Sequence, residues 1–159
     1  MVTECDLVAA HPDDPAAVAN GVHDDALEAS AAIAACETAA AIDQHTARLR
    51  FQVARGYLKA GRFEDAIEQL IVAGQAGHGG AFAYLGDLAL DGAPGLPPDP
   101  ALAKSLYQHA AAQGFLPAIA ILEQFEEQTE GAETNSEVEP ADSAAAQSDP
   151  VNGSGKDKK

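Results

Sequence analysis

The chain has 159 residues, enough for one domain, and alanine supplies much of its 47% apolar content. Because alanine is the best helix former, this composition favours an all-α fold. The formal net charge of −16 repels phosphate groups, which excludes nucleic acid and anionic membranes as partners. No run of about 18 apolar residues occurs, so we expect no membrane-spanning helix and no membrane insertion.

Turn-forming residues interrupt the first 24 residues. Residues 11–15 read His-Pro-Asp-Asp-Pro, in which two prolines flank a pair of aspartates, and Gly21 is a second break. Asp25 and Glu28 have the spacing of a capping box, which predicts a helix from there to about Ala41. The apolar stripe of this helix is predicted to contain Leu27, Ala31, Ala34 and Ala41.

Five further helices are predicted, each bounded by glycine, aspartate or proline. The first two span about 46–60 and 63–77, and the third ends at Gly92. Asp99 is a good N-cap with Pro100 in the first helical position, and the last helix spans about 116–128. The last helix is expected to turn Ile119, Leu122 and Phe125 inward.

A period of 37 residues connects the middle helices. It is carried by small and apolar pairs: Ala66/Ala103, Leu70/Tyr107, Ala73/Ala110, Gly74/Ala111, Gly77/Gly114, Ala81/Ala118 and Leu85/Leu122. A fixed period of this length predicts a helical solenoid, in which each unit is a helix, a turn and a second helix. Gly77 and Gly114 are predicted to end helices, because glycine adopts the left-handed cap conformation easily.

The segment 99–114, DPALAKSLYQHAAAQG, resembles the Sel-one-like repeat, a relative of the tetratricopeptide repeat. Ala118 and Leu122 continue the similarity, and residues 95–98 fit the longer loop of that family. The resemblance implies a short right-handed α-solenoid of two and a half repeats over residues 46–128. Residues 1–45 would then form a leader and a capping helix.

Residues 129–159 are predicted to form a disordered acidic tail. From residue 126 onward, nine acidic residues stand against three lysines, and large apolar residues are nearly absent. Such a segment cannot bury enough surface to offset the entropy lost on ordering.

The N-terminal part is similar to a leader that precedes Sel-one-like repeats in exported alphaproteobacterial proteins. The similarity rests on Cys5-Asp6, Asp14-Pro15, Gly21-Val22 and the segment Ala32–Cys36. Cys5 and Cys36 could be two buried thiols or a disulfide. We favour the disulfide, because the leader has few large apolar residues to dock it and the similar proteins are exported. The expected location is therefore the periplasm or the exterior, although no signal peptide opens this chain, which leaves the cytoplasm as the alternative.

Basic residues crowd one stretch, where Arg48, Arg55, Lys59 and Arg62 have spacings that share one helix face, with Arg62 just past the predicted end of the helix. Arginine suits carboxylates, so this stripe is a candidate site for an acidic peptide. The chain's own segment 126–142 is one such peptide. The alternative is a solvated stripe balanced by nearby acidic residues.

These features favour a non-catalytic protein–protein interaction module, an adaptor or scaffold of the bacterial cell envelope. The expected partner is a protein or peptide, and neither catalytic residues, metal ligands nor cofactors are predicted. The alternative is a small metal-dependent hydrolase that uses the His/Asp-rich segment 11–25. A third possibility is a structural fragment of a larger assembly.

Overall fold

The structure is a computed structural model that describes the backbone of residues 1–135 and the side chains of residues 1–125. This part contains seven α-helices and no strand, which confirms the predicted all-α class. The helices are α1 Glu4–Ala9, α2 Ala29–Ile42, α3 Ala47–Lys59, α4 Phe63–Gln75, α5 Gly79–Asp91, α6 Pro100–Ala112 and α7 Leu116–Asn135.

Helices α2 to α7 each pack mainly on the helix before and the helix after them. The short helix α1 is the exception, because it contacts both α2 and α3. Long segments without helix occupy residues 10–28 and 92–99. We call residues 1–28 the N-terminal segment; it contains α1 and the first of these two segments.

The predicted caps of the middle helices are present. Asp99 accepts a hydrogen bond from the backbone nitrogen of Leu102 at 3.0 Å, and Pro100 is the first residue of α6. Gly77 and Gly114 have φ angles of 85° and 82°, the left-handed conformation expected of them.

Residues 37 positions apart occupy similar environments in α4 to α7. Three alanine pairs are completely buried, and so is Leu70, whose counterpart Tyr107 is 1% exposed. These alanine pairs are Ala66/Ala103, Ala73/Ala110 and Ala81/Ala118. Small side chains at these positions let neighbouring helices approach closely, so the sequence period corresponds to a period in burial.

The prediction for α2 was wrong in two respects. The helix begins at Ala29 rather than Asp25, whose carboxylate accepts only from the next residue, Ala26. Its buried face is also different from the predicted stripe, of which only Leu27 is buried, and Leu27 precedes the helix. The buried residues of α2 are Ala32, Cys36, Ala39 and Ala40. Alanine occurs on every side of this helix, so apolar spacing could not select the face.

Helix α7 also differs from its prediction, because it continues to Asn135 rather than ending at Gln128. Ile119 was expected to point inward but is 42% exposed. The predicted disordered tail beyond residue 135 lies outside the described residues.

Gly21 lies where the N-terminal segment folds back on itself. A methyl group there would lie 2.0 Å from the backbone nitrogen of Pro12, a distance that no side-chain rotation can relieve. The neighbouring Val22 donates a 2.7 Å backbone hydrogen bond to the carbonyl oxygen of Ala10, which holds the two arms of the N-terminal segment together.

We therefore expect Gly21→Ala to reduce the free energy of unfolding by at least about 2 kcal/mol, the usual scale of overpacking. Urea denaturation followed by circular dichroism measures this loss. The matched control is Asn20→Ala at the exposed neighbouring position, which should change the free energy by less than about 0.5 kcal/mol. Equal unfolding midpoints for the two variants would contradict the predicted clash.

Candidate functional site

The disulfide between Cys5 and Cys36 is present and joins α1 to α2, as predicted. Both cysteines are completely buried. Few other large apolar side chains of α1 are covered, since Leu7 is 58% exposed. Apart from the cysteine, α1 adds only Ala9 and the partly buried Val8 to the hydrophobic core, so the disulfide is a main attachment of this short helix.

Asp6 forms a second attachment of α1, this time to α3. Its carboxylate is completely buried and accepts from Arg48 at 2.8 and 3.1 Å, a bidentate ion pair. The side chain of Gln52 and the backbone nitrogen of Thr3 donate at 3.1 and 2.7 Å. Although burial opposes ionisation, these donors hold the pKa of Asp6 well below its usual range.

Arg55 is the third and most extensively bonded attachment. Its side chain is fully buried, and it donates to the carbonyl oxygens of Ala9 at 2.7 Å and Val22 at 2.6 Å. It also donates to the carboxylate of Asp24 at 2.7 and 3.0 Å and to the Tyr84 hydroxyl at 3.2 Å. One guanidinium thus fixes both arms of the N-terminal segment to α3 and α5.

Asp14 and His78 form the fourth attachment, a buried pair at 3.1 Å. The Nδ1 atom of His78 accepts from the backbone nitrogen of Ala81 and so caps α5, which leaves Nε2–H to donate to Asp14. Although burial opposes ionisation, the hydrogen bond from His78 lowers the pKa of Asp14. Asp14 therefore supplies a negative charge at the positive N-terminal end of α5.

His11 packs between the rings of Tyr84 and Phe115, with centroids 6.1 and 5.5 Å away. Burial and the positive charge of Arg55 lower the pKa of this imidazole. His11 also lies 6.5 Å from the ring of His23. Even so, the described residues contain no group of three His, Cys, Asp or Glu side chains that could hold a metal ion.

The basic residues predicted to share one exposed face are engaged by the protein itself. Arg48 and Arg55 bind carboxylates of the N-terminal segment, and Lys59 donates to the carbonyl oxygens of Asp24 and Asp25 at 2.7 and 3.2 Å. The spacing argument did place these three side chains on one side of α3. The sequence did not reveal their partner, because the segment to which they bind lies 31 to 47 residues away in sequence.

Arg62 is separate from the other three. It lies 4.2 Å above the ring of Tyr57, pairs with Asp65 at 2.7 Å, and is 3.9 Å from Glu37. The expected cover of the stripe, residues 126–142, lies in α7 and beyond, where no side chain is described.

An open cleft of about 550 Å³ lies beside these attachments, between the last two turns of α3, the start of α4 and the last two turns of α5. Its apolar surface is formed by Leu27, Leu58, Phe63 and Leu88. Its carboxylates are Asp24, Asp25, Asp87 and Asp91. Only Arg55 and Lys59 contribute positive charge to its lining, and the Arg55 guanidinium is already bound to Asp24.

Two tyrosines hold carboxylates of the cleft in place. Tyr84 donates to Asp24 at 2.6 Å, and Tyr107, which is buried behind the cleft, donates to Asp87 at 2.6 Å. Although burial opposes ionisation, the hydrogen bonds from Tyr84 and Arg55 lower the pKa of Asp24. Burial and the nearby charges of Asp91 and Asp24 raise the pKa of Asp87, even though Tyr107 donates to it.

We expect the stability of the fold to decline as the pH falls below about 4. The folded-state pKa values of Asp6 and Asp14 are lowered, so their stabilisation is complete above the unfolded value of 3.8 and is lost below it. Melting temperatures measured between pH 6 and pH 2.5 test this. Asp6→Asn should be less stable than the parent at pH 6. It should also lose less stability on acidification, because asparagine has no carboxylate to be protonated. Parallel curves for the two proteins would contradict the assignment.

No helix within the described residues is long and apolar enough to cross a membrane. No protein-family model matches the chain, and no curated protein or solved structure matches it. The Sel-one-like resemblance thus stays a prediction, and any function has to be argued from the cleft and its surroundings.

Proposed function

We propose that the chain is a non-catalytic protein-interaction module that binds a peptide segment of a partner in the cleft between α3 and α5. The cleft itself carries this proposal. It combines an apolar surface with several polar groups in fixed positions, which is the usual composition of a recognition site.

The site is preorganised. Arg55, Asp24 and Tyr84 form hydrogen bonds with one another at its base, so their side chains lose little additional conformational entropy when a ligand binds. Three of the four apolar side chains come from helices: Leu58 from α3, Phe63 from the start of α4 and Leu88 from α5. A Sel-one-like or tetratricopeptide-like solenoid is the fold class that we propose for this support, because each helix packs on its sequence neighbours and burial follows the 37-residue period.

The expected location in the periplasm or outside the cell is part of the proposal. The Cys5–Cys36 bond supports it, because disulfides persist in oxidising compartments. An adaptor of the cell envelope is consistent with such a compartment.

Selection of a random peptide library on the immobilised full chain tests the function. Enriched peptides should shift backbone amide signals of Leu58, Tyr84 and Leu88 in NMR spectra. They should lose at least tenfold in affinity for Leu58→Glu, which places a charge in the cleft. The control Ile71→Glu alters an exposed apolar residue of α4 outside the cleft and should keep full affinity. Absence of any peptide that binds at the cleft would overturn the proposal.

A further inference from the structure

The chemistry of the cleft also indicates which kind of peptide it would hold, an inference that rests on the proposed function. Four carboxylates line the cleft against two basic side chains. Of the two, Arg55 is neutralised by Asp24, and Lys59 points its ammonium group at backbone carbonyls. The remaining carboxylates therefore give the site an excess of negative charge.

Apolar and acidic side chains alternate along one face of α5. Asp87 and Leu88 lie three and four residues after Tyr84 and four and three before Asp91, so all four lie on the side of the helix that borders the cleft. A ligand lying along this face meets a carboxylate next to each apolar contact.

The ends of two helices add to the negative potential. Both α3, which ends at Lys59, and α5, which ends at Asp91, contribute their last two turns to the cleft. The carbonyl end of a helix carries partial negative charge, which favours a cation nearby. Burial is the main cause of the raised pKa of Asp87, and the charges of Asp91 and Asp24 raise it further, so a bound cation would relieve part of the effect.

We propose that the cleft binds a basic amphipathic peptide, one that places an aliphatic or aromatic side chain on Leu58, Phe63 and Leu88. Flanking lysine or arginine side chains of this peptide pair with Asp87, Asp91 and Asp25. Charge complementarity decides against the acidic peptide that the basic sequence stripe had suggested, because Arg48 and Arg55 are already bound by Asp6 and Asp24.

Three synthetic peptides test this: Lys-Leu-Lys-Leu-Lys, the same peptide with serine in place of lysine, and the same with glutamate. Isothermal titration with the full chain in about 50 mM salt should give the highest affinity for the lysine peptide. The serine peptide should bind at least tenfold more weakly, and the glutamate peptide should not bind. Raising the salt to about 0.5 M should remove most of the lysine peptide's advantage.

Substitutions of the cleft carboxylates test whether the peptide binds in the cleft. Asp87→Asn together with Asp91→Asn should weaken the lysine peptide at least tenfold and leave the serine peptide unchanged. Asp25→Asn provides a second variant on a different element, which guards against misfolding of the first. Glu64→Gln together with Glu68→Gln removes the same charge from the exposed surface of α4 and should have little effect.

The outcomes are distinct. If the serine or glutamate peptide shifts the cleft signals as strongly as the lysine peptide does, the cleft is a peptide site but the basic preference is refuted. If the control variant of α4 weakens binding as much as the cleft variant does, the preference reflects net charge alone and is refuted as well. If library selection yields peptides that bind in the cleft but lack lysine and arginine, only the basic preference is refuted. If the selection yields no peptide that binds in the cleft, the proposed function is refuted as well.

Discussion

Arg55→Met should reduce the free energy of unfolding by about 2–6 kcal/mol, because two backbone carbonyl oxygens lose their donor inside the fold. Methionine retains most of the aliphatic stem but none of the five donors. The carbonyl oxygens of Ala9 and Val22 would then lose their donors within the fold. Each carbonyl oxygen left without a donor accounts for about 1–3 kcal/mol of this loss, and the carboxylate of Asp24, which is 57% exposed, adds little to it.

Urea denaturation measures this loss, and hydrogen exchange shows where it acts. Protection should decrease first at Val22, whose amide bonds to Ala10 within the N-terminal segment. Arg62→Met is the matched control, because its ion pairs are exposed and worth only about 0–1 kcal/mol. An Arg55→Met protein within about 1 kcal/mol of the parent would show that the guanidinium does not secure the segment.

Removing the disulfide by Cys5→Ser with Cys36→Ser should cost about 3–4 kcal/mol. The cross-link closes a loop between residues 31 positions apart, and the chain-entropy model gives a stabilisation of this size for such a loop. We expect nearly all of this stabilisation to be lost in the variant, because α1 is only six residues long and has little apolar surface to hold it in place.

Reduction of the parent protein should reproduce the loss, and the same reductant should leave the double serine variant unchanged. Urea denaturation with and without reductant makes both comparisons, and non-reducing mass spectrometry confirms the linkage. A parent protein whose unfolding midpoint does not respond to reduction, with both thiols shown to be free, would contradict the assigned role.

Local chemistry predicted most of the helices. Gly77 and Gly114 end helices because of their own backbone preference, and Asp99 with Pro100 begins one for the same kind of reason. Such signals need no knowledge of the rest of the chain, so they are readable from the sequence. The buried face of α2 could not be predicted from the sequence. Alanine occurs on all sides of the helix, so no side is more apolar than another, and Cys36 fixes the orientation through a bond to the distant Cys5.

The cleft could not be predicted for a similar reason. Its lining joins Asp25, Leu58 and Asp91, which belong to three parts of the chain, and no local pattern relates them. The crowding of basic residues on α3 was a genuine signal, but the sequence could not tell an internal ion pair from an exposed one. The N-terminal segment has few large apolar residues and several aspartates. This composition was the feature of the sequence that indicated attachment by ion pairs rather than by hydrophobic contacts.

The polar attachment of the N-terminal segment has a consequence for the order of folding. Helices α2 to α7 meet their sequence neighbours, and such local contacts form early and quickly. The bonds of Asp6, Asp24 and Asp14 span 42, 60 and 64 residues, respectively. During synthesis this segment is made before Tyr84, so Asp24 has all its partners only after α5 has been made. We therefore expect the N-terminal segment to dock only after α5 has formed.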